Sequence, residues 1–176
     1  MEQNNRHIFT QQYDSPCGPL TLGEYYGKIC ICDWTTSSHH EAILRRITSK
    51  LHAEIAESPT DLLQETACQL DEYFNATRRC FTIPLLLVGT EFQISVWRQL
   101  QELPFGTTMS YGQMAKRINR PNSVRAVANA NGANAISIII PCHRIIGSNN
   151  TLTGYAGGLA AKQKLIELET KSFFTE

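Results

Sequence analysis

A short apolar run that ends in two reactive side chains places the tightest limit on how this chain folds. The residues from Ile136 to Pro141 are rich in β-branched side chains, which predicts a buried strand that Pro141 ends. Cys142 and His143 follow immediately, so we expect a thiol at a strand exit, next to the side chain that most often serves as a base. An inert, buried cysteine is the ordinary alternative. The proline before the thiol and the glycine-rich stretch after it favour a reactive cysteine.

The apolar runs also bear on where the protein works. The two longest, Ile83 to Val88 and Ile136 to Pro141, are too short to span a bilayer, and residues 1–6 do not resemble a signal peptide. We therefore expect a cytoplasmic protein with no membrane partner. A chain of 176 residues can bury a substantial core, so its six cysteines are expected to stay reduced in that compartment.

Four potential metal ligands lie close together in the first half of the chain: Cys30, Cys32, His39 and His40. Their residue types and spacing are compatible with zinc. Cys-x-Cys spacing in a strand also places two small apolar side chains on one face, and this is the interpretation that we favour. We expect no metal, and the sequence leaves the zinc alternative open.

The first half of the chain has the pattern of a small α/β domain. Alternating apolar residues and turn signals predict a β-meander over residues 7–34. Apolar residues from His40 to Ile55 recur at helical spacing, and Ser58-Pro59 offers an N-cap and a first-turn proline for a second helix. These elements predict a small antiparallel sheet with helices over residues 1–85. An extended segment, Ala76 to Gly89, is expected to lead into the second half.

Helix signals dominate residues 86–176. Two stretches, Thr90 to Gln93 and Ser110 to Gln113, have the form of a capping box, which predicts that a helix begins at each. A third helix is expected to begin after Asn122 or Ser123. The last two helices are short and are joined by a tight polar turn. This pattern predicts a helix-turn-helix within a mainly α-helical domain.

The net charge of zero hides an asymmetry between the two halves. Residues 1–89 carry seven Lys or Arg against eleven Asp or Glu, whereas residues 90–176 carry nine against five, so the formal charges are −4 and +4. A positive half suits a polyanion, although a solvated basic helix face is the ordinary alternative. The helix from Val124 to Ala130 has mostly small side chains, which suit close DNA contact without sequence readout. Five basic residues cluster in this half: Arg98, Lys116, Arg117, Arg120 and Arg125.

Several motifs of the second half resemble those of one known family. Pro141-Cys142-His143-Arg144, followed by Gly154-Tyr155-Ala156-Gly157-Gly158-Leu159, resembles the active-site signature of the O6-alkylguanine-DNA alkyltransferases. Residues 1–85 resemble that family only in length and pattern. Further matching segments are Phe92-Gln93-Ile94-Ser95-Val96-Trp97, Ser110-Tyr111-Gly112, Arg125-Ala126-Val127, Asn134 and Glu169.

The resemblance implies a specific reaction. The thiolate of Cys142 would take the alkyl group from O6-alkylguanine in double-stranded DNA, once per molecule and without a cofactor, after the nucleotide is rotated out of the helix. His143 would take the thiol proton through a water, and Glu169 would orient the imidazole. The sequence alone gives no reason to prefer Glu169 over Glu167. Tyr111 would supply a proton to the departing base.

The same resemblance implies supporting and binding roles. Asn134 would hold the turn that carries the cysteine, although Ala135 follows it where the family usually has Pro. Ala156 stands where some relatives have Ser, so a hydroxyl contact to the base is lost. Arg125 would fill the space left by the extruded base. The residues implied to bind the substrate are Ile145, Tyr155, Ala156, Gly157 and Gly158. The candidate DNA contacts are Tyr111, Arg120, Ser123, Arg125 and Ala126.

Other functions compete with DNA repair. A non-catalytic binder of alkylated DNA would not need Cys142, and a helix-turn-helix regulator would not need the Cys-His pair. A cysteine hydrolase needs its Cys and His apart in sequence and an oxyanion hole. We therefore expect a monomeric DNA repair protein, and the sequence leaves activity toward O4-alkylthymine open.

Overall fold

A four-stranded mixed sheet forms the first half of the protein in this computed structural model, which describes residues 6–171. Three strands, β1 (His7–Ser15), β2 (Gly18–Tyr25) and β3 (Lys28–Trp34), pair as an antiparallel meander, as the sequence predicts. A short strand, β4 (Glu54–Glu57), lies parallel to β1 at the sheet edge, which gives the order β3-β2-β1-β4.

Two helices, α1 (His40–Leu51) and α2 (Asp61–Phe74), accompany this sheet. The prediction that the first helix continues to Ile55 is wrong, because His52 adopts a left-handed conformation with φ of 48° and ends the helix. Ile55 belongs instead to β4. The N-cap of α2 is also not Ser58: the hydroxyl of Thr60 accepts a hydrogen bond from the amide of Leu63.

A β-bulge changes which way the two cysteines of β3 face. The pairing of β2 with β3 shifts between Gly23 and Glu24, so that Cys30 has no opposite residue. Cys30 therefore packs with Ile31 in one core cluster, whereas Cys32 packs in the other. The prediction that both thiols share one face is wrong. Within residues 6–171 there is no group of three or more His, Cys, Asp or Glu side chains arranged to hold a metal ion.

An extended segment connects the two halves, as predicted. Between α2 and the next helix, Leu85 bridges to Ile29, and the amides of Ile29 and Leu86 donate to the carbonyls of Pro84 and Ile29. The connection therefore borders β3 on its open edge.

The second half is mainly helical. Helix α3 (Glu91–Gln101) and helix α4 (Tyr111–Arg117) both begin with the predicted capping boxes. Helix α5 (Val124–Gly132) packs against both of them, and α6 (Leu159–Lys171) packs against a 3-10 turn, Cys142–Arg144. Two short strands, β5 (Met109–Ser110) and β6 (Ile145–Ile146), pair in parallel. No helix in the part of the chain that the structure describes is long and apolar enough to cross a membrane.

The run before Cys142 is a buried loop, so the prediction of a strand there is wrong. Ile136 makes an isolated bridge to Cys32, and Ser137 makes one to Ile140. Ile138 has a left-handed φ of 71°, which folds the chain back on itself. The apolar side chains are buried as expected. The backbone of this run, however, forms hydrogen bonds with β3 and with an asparagine side chain, and it does not pair along its length with a neighbouring strand.

Candidate active site

A cavity of about 720 Å³ is lined in part by Cys142, the cysteine of the Cys-His pair. Cys142 is 4% exposed and lies at its wall. Four other predicted site residues line the same cavity: Tyr111, Asn134, Tyr155 and Ala156. The start of α1 also contributes to it through Ser38, His39 and Arg46. Both halves of the chain therefore build this cavity.

Asn134 and Asn131 hold the loop that carries the cysteine. The Asn134 side-chain amide donates to the Ile140 carbonyl at 3.0 Å, and its oxygen accepts from the Ile136 amide at 3.0 Å. The Asn131 amide donates to the Cys142 carbonyl at 3.3 Å. These buried bonds fix the loop from inside, so the loop does not depend on a proline after Asn134.

The backbone of β3 holds the same loop from the other side. The amide of Cys32 donates to the Ala135 carbonyl at 2.8 Å, and the amide of Ser137 donates back to the Cys32 carbonyl at 2.7 Å. The sheet of the first half is therefore joined by hydrogen bonds to the segment that positions the thiol.

His143 and Glu169 meet in the protein interior. His143 Nε2 lies 2.6 Å from Glu169 Oε1, and both side chains are essentially inaccessible to solvent. Because Nε2 donates its proton to the carboxylate, Nδ1 carries the lone pair. Nδ1 is buried, and no side chain or backbone group of residues 6–171 lies within hydrogen-bonding distance of it. It is the atom of the imidazole able to accept a proton.

Glu169 is also held by groups that the sequence analysis did not assign to the site. Arg144 Nε and Nη2 donate to its two oxygens at 2.8 and 3.0 Å. The Tyr73 hydroxyl donates at 2.7 Å and the Gly106 amide at 3.1 Å. Burial alone would raise the pKa of Glu169, but the hydrogen bonds from His143 and Arg144 bring it down to about 2.

Burial keeps the reacting pair neutral. It lowers the pKa of His143; the hydrogen bond to Glu169 opposes this, and the positive charges of Arg144 and Lys162 add to it. Burial also raises the pKa of the Cys142 thiol, against the opposing effects of Asn134 and Lys162. The site therefore holds a thiol and a neutral imidazole, so a thiolate requires a base that removes the thiol proton.

Three residues of the site, Tyr73, Arg144 and Lys162, were not predicted from the sequence, each for a different reason. Tyr73 has the helical spacing of a core residue and no local sign of a role, since its partner lies 96 residues away. Arg144 belongs to the Pro-Cys-His-Arg motif, which was the available signal. Lys162 is a fully buried lysine whose Nζ donates to the Thr153 carbonyl at 2.8 Å. Nothing in the sequence of α6 marks Lys162 as buried, because the apolar and polar residues of this helix are not clearly separated onto two faces.

The remaining predicted substrate residues lie close to the cavity without lining it. Ile145 is buried in β6 and pairs with Met109 of β5. Gly157 packs against Trp34, and Gly158 has a left-handed φ of 85° just before α6. Gly157 and Gly158 directly follow Tyr155 and Ala156 in the chain, so their conformation affects where those two residues lie.

The predicted DNA contacts gather around the start of α5. Arg120, Arg125 and Ala126 are exposed, and Ser123 is the half-buried N-cap residue of this helix. The Arg120 guanidinium lies 5.8 Å from the Phe92 ring centroid. Further along α5, Ala128 and Asn129 line the cavity. A single short helix thus connects the basic surface with the cysteine.

Comparisons with known proteins agree with this arrangement. The family model described as 6-O-methylguanine DNA methyltransferase, ribonuclease-like domain, matches residues 8–87, and the one described as 6-O-methylguanine DNA methyltransferase, DNA binding domain, matches residues 91–171. Two similar relatives are called methylated-DNA–protein-cysteine methyltransferase. That of Mycobacterium leprae is 36% identical over 96% of this chain and 96% of its own. That of Methanosarcina barkeri is 46% identical over 89% of this chain and 93% of its own.

Other matches are shorter or structural. The inducible methyltransferase of Bacillus subtilis is 46% identical over 64% of this chain and 63% of its own length. The crystal structure of Mycobacterium tuberculosis OGT in complex with DNA superposes with a TM-score of 0.78 at 37% identity and covers 94% of each chain. The chain belongs to the 6-O-methylguanine DNA methyltransferase family.

Proposed function

We propose that this protein repairs DNA by moving the alkyl group of O6-alkylguanine onto its own Cys142. The observation that carries the proposal is a thiol at the wall of a cavity, followed in sequence by an imidazole that a buried carboxylate orients. Relatives named methylated-DNA–protein-cysteine methyltransferase support it.

The reaction begins with proton removal from the thiol. Nδ1 of His143 accepts the Cys142 proton through a bridging water, and Glu169 stabilises the imidazolium that forms. Arg144 and Tyr73 keep Glu169 fixed, so the carboxylate does not have to reorganise during this step. The positive charge of Lys162 favours the thiolate as well.

Alkyl transfer follows as an in-line displacement. The sulfur attacks the alkyl carbon, a C–S bond forms, and the C–O6 bond breaks with its electron pair passing to guanine. Tyr111 supplies a proton to the departing base. The product is a thioether, and no group in the described site offers a way to remove the alkyl carbon from sulfur. Each molecule therefore reacts once and needs no cofactor.

DNA binding brings the target base to this cavity. Helices α4 and α5 act as a helix-turn-helix whose second helix lies against the duplex, and its small side chains permit close approach without sequence readout. Arg125 occupies the space of the extruded nucleotide, and Ser123, Ala126 and Arg120 contact the backbone. Tyr155, Ala156, Gly157, Gly158 and Ile145 hold the base and the alkyl group.

The two halves of the chain have different roles. Residues 1–85 form a supporting α/β domain, and residues 86–176 form the DNA-binding and active-site domain. The protein acts as a monomer in the cytoplasm, where its DNA substrate lies.

Intact-protein mass spectrometry after incubation with an oligonucleotide containing O6-methylguanine tests the proposal. We expect a gain of one methyl group per chain, mapped to Cys142, and no gain in Cys142→Ala, which should still bind DNA. Methylation at another cysteine, or repeated turnover by one molecule, would contradict it. The same assay with O4-methylthymine determines whether that base is also a substrate.

A further inference from the structure

Trp34, at the end of β3, lies directly behind the glycine segment of the active site. Its side chain is 1% exposed. A Cβ atom added to Gly157 would lie 2.5 Å from Trp34 Cε2 and 2.7 Å from Cδ2, which is closer than any side chain can approach. The indole also meets the Tyr155 ring edge to face, with centroids 5.8 Å apart.

The sheet holds this indole in place independently of the glycine segment. Trp34 pairs with Leu20 in the β2–β3 ladder, and the Thr35 amide donates to the Pro19 carbonyl just beyond it. The indole also lies 3.7 Å from the position of a Cβ on Gly18, at a different part of the ring from the atoms that face Gly157. The ring therefore contacts one glycine from each half of the chain.

The polar atoms of Trp34 and Tyr155 point to a functional contact as well as to packing. Trp34 Nε1 and the Tyr155 hydroxyl are both buried, and neither bonds to any other group of residues 6–171, but the two lie close enough for the indole N–H to act on the hydroxyl. Burial raises the pKa of Tyr155 well above its ordinary value, the Cys142 side chain raises it further, and the indole N–H opposes this effect. The two groups are thus close neighbours behind the cavity wall.

We propose that Trp34 is a positioning residue that sets the depth of the alkyl pocket, and thus the size of alkyl group that Cys142 accepts. This inference rests on the proposed function. Trp34 does not touch the substrate. The indole prevents Gly157 and Tyr155 from moving away from the Cys142 sulfur. The pocket between them and the sulfur therefore has room for a methyl group and not for a large alkyl group.

Replacing the indole should therefore change selectivity. In Trp34→Ala, the ratio of the rate constants for O6-benzylguanine and O6-methylguanine, measured in the same oligonucleotide, should rise by about tenfold, which is the scale on which pocket size discriminates substrates. Trp34→Leu keeps apolar bulk in the core and should move the ratio in the same direction by a smaller amount. A ratio within about twofold of wild type in both variants would overturn the inference.

A double substitution tests the contact itself. Gly157→Ala places a methyl group against the indole, so it should slow transfer by at least about tenfold, because a misplaced wall disturbs the attack geometry. In the Trp34→Leu background, the same change should slow transfer by less than about threefold. An equal loss in both backgrounds would show that Gly157 is needed for another reason, and the proposed contact would be wrong.

A control separates selectivity from general destabilisation. Ile47 is fully buried in the other core cluster, on the far side of the sheet. Ile47→Ala should reduce stability and leave the benzyl-to-methyl ratio unchanged; an equal rise in this variant would contradict the assignment to Trp34. If the wild-type protein fails to accept a methyl group at all, the proposed function is wrong. If it accepts one and neither the ratio nor the double substitution behaves as described, only the role of Trp34 is wrong.

Discussion

At the scale of single residues, burial moves the pKa values of Cys142 and His143 in opposite directions. It raises that of the thiol and lowers that of the imidazole. A stable thiolate-imidazolium pair would need the reverse, with the thiol more acidic than the imidazolium. The site is therefore arranged for proton transfer during the reaction. A resting thiol is also less exposed to oxidation than a resting thiolate.

This arrangement predicts the pH dependence of alkyl transfer. With free O6-methylguanine as substrate, the rate constant should be flat around neutral pH and fall only below about 6.5, because burial lowers the pKa of the accepting imidazole from 6.5. His143→Ala should be severely slowed. Its rate should then rise about tenfold per pH unit with the thiolate fraction, up to the raised pKa of Cys142 above 9.0. A tenfold rise per unit in the wild type would instead indicate that His143 is not the base.

Glu169 links this site to acid stability. Its pKa is about 2 in the folded protein against 4.5 ordinarily, so its stabilising contribution is complete above pH 4.5 and is lost as the pH falls from 4.5 toward 2. The contribution is on the order of 3 kcal/mol. In urea unfolding, Glu169→Gln should be less stable than wild type at neutral pH, and the difference should narrow as the pH falls through this window.

The exposed neighbour Glu167 provides the control for that measurement. It lies on the same helix, where Gln163 and Lys171 donate hydrogen bonds to it. The hydrogen bonds of Glu167 lower its pKa but are screened by solvent, so Glu167→Gln should change the stability profile much less than Glu169→Gln and should leave the rate of transfer unchanged. Glu169→Gln should also slow transfer, though less than His143→Ala, because packing still holds the imidazole. A wild-type rate in both Glu169→Gln and His143→Ala would contradict the proton relay.

At the scale of elements, the sequence predicted those helices and strands whose positions depend on interactions between neighbouring residues. The two capping boxes fix the starts of α3 and α4, and each involves only four consecutive residues. The meander over residues 7–34 follows from alternation and turn residues. The end of α1 was not predicted correctly, because Ile55 continues the helical spacing of α1 although its backbone pairs with β1. Periodicity alone cannot show where a helix ends when an apolar residue of the next strand, here the exposed Ile55, falls at helical spacing.

The loop before Cys142 shows where sequence reasoning failed for a physical reason. An apolar β-branched run predicts burial, and residues 136–140 are buried. The backbone of this run forms hydrogen bonds with groups outside it, namely the Cys32 backbone and the Asn134 side chain, and its sequence does not reveal these partners. Cys142 and His143 were predicted from the residue pattern around them, and the roles of the other predicted site residues came from motif resemblance. Tyr73 and Trp34 carry no motif, because their role depends on how the two halves pack.

Helix α5 provides a test of base extrusion. Arg125 is exposed at its first turn, so its loss should not disturb the core. Flipping a nucleotide costs a few kcal/mol of stacking and pairing, and a side chain that fills the gap offsets part of this cost. Arg125→Ala should therefore slow reaction with duplex DNA by about tenfold or more and leave reaction with the free base almost unchanged. Arg125→Lys should restore only part of the duplex rate, because a thin ammonium chain cannot stack like a guanidinium.

A comparison with an exposed arginine of the first half separates the role of the Arg125 side chain from the effect of losing one positive charge. Arg45 is exposed on α1, and Arg45→Ala makes the same change in net charge. Rates on both substrates are compared at one fixed salt concentration, since phosphate contacts make binding steeply salt-dependent. Arg45→Ala should react like wild type. Equal losses on duplex and free base in Arg125→Ala would show that Arg125 supports the pocket instead.

At the scale of the whole molecule, the active site lies where the two halves meet. The β3 backbone bonds to the loop before the cysteine, the Trp34 indole supports Gly157, and the Tyr73 hydroxyl bonds to Glu169. Each contact joins a residue of the first half to a different part of the site. The first half therefore contributes to the chemistry by holding the loop, the pocket wall and the carboxylate in fixed positions.

Two tyrosine substitutions distinguish this contribution from ordinary stability. Tyr73 and Tyr13 each donate a hydroxyl hydrogen bond of 2.7 Å to a carboxylate, Tyr73 to Glu169 and Tyr13 to Asp71. A hydrogen bond to a charged group contributes about 1.5–3 kcal/mol. Tyr73→Phe should lower the free energy of unfolding by an amount in this range, because it leaves the buried Glu169 without one donor, and Tyr13→Phe should lower it by less, because Asp71 is exposed and water can replace the lost bond. Only the Tyr73 bond reaches the proton relay, because Asp71 lies within the first half. Tyr73→Phe should therefore slow methyl transfer by about threefold to tenfold, since Glu169 loses one of the groups that orient it, whereas Tyr13→Phe should react at the wild-type rate. The measurements are urea unfolding and single-turnover transfer at neutral pH. If both variants transfer at the wild-type rate despite their losses of stability, the first half supports the fold without tuning the reaction.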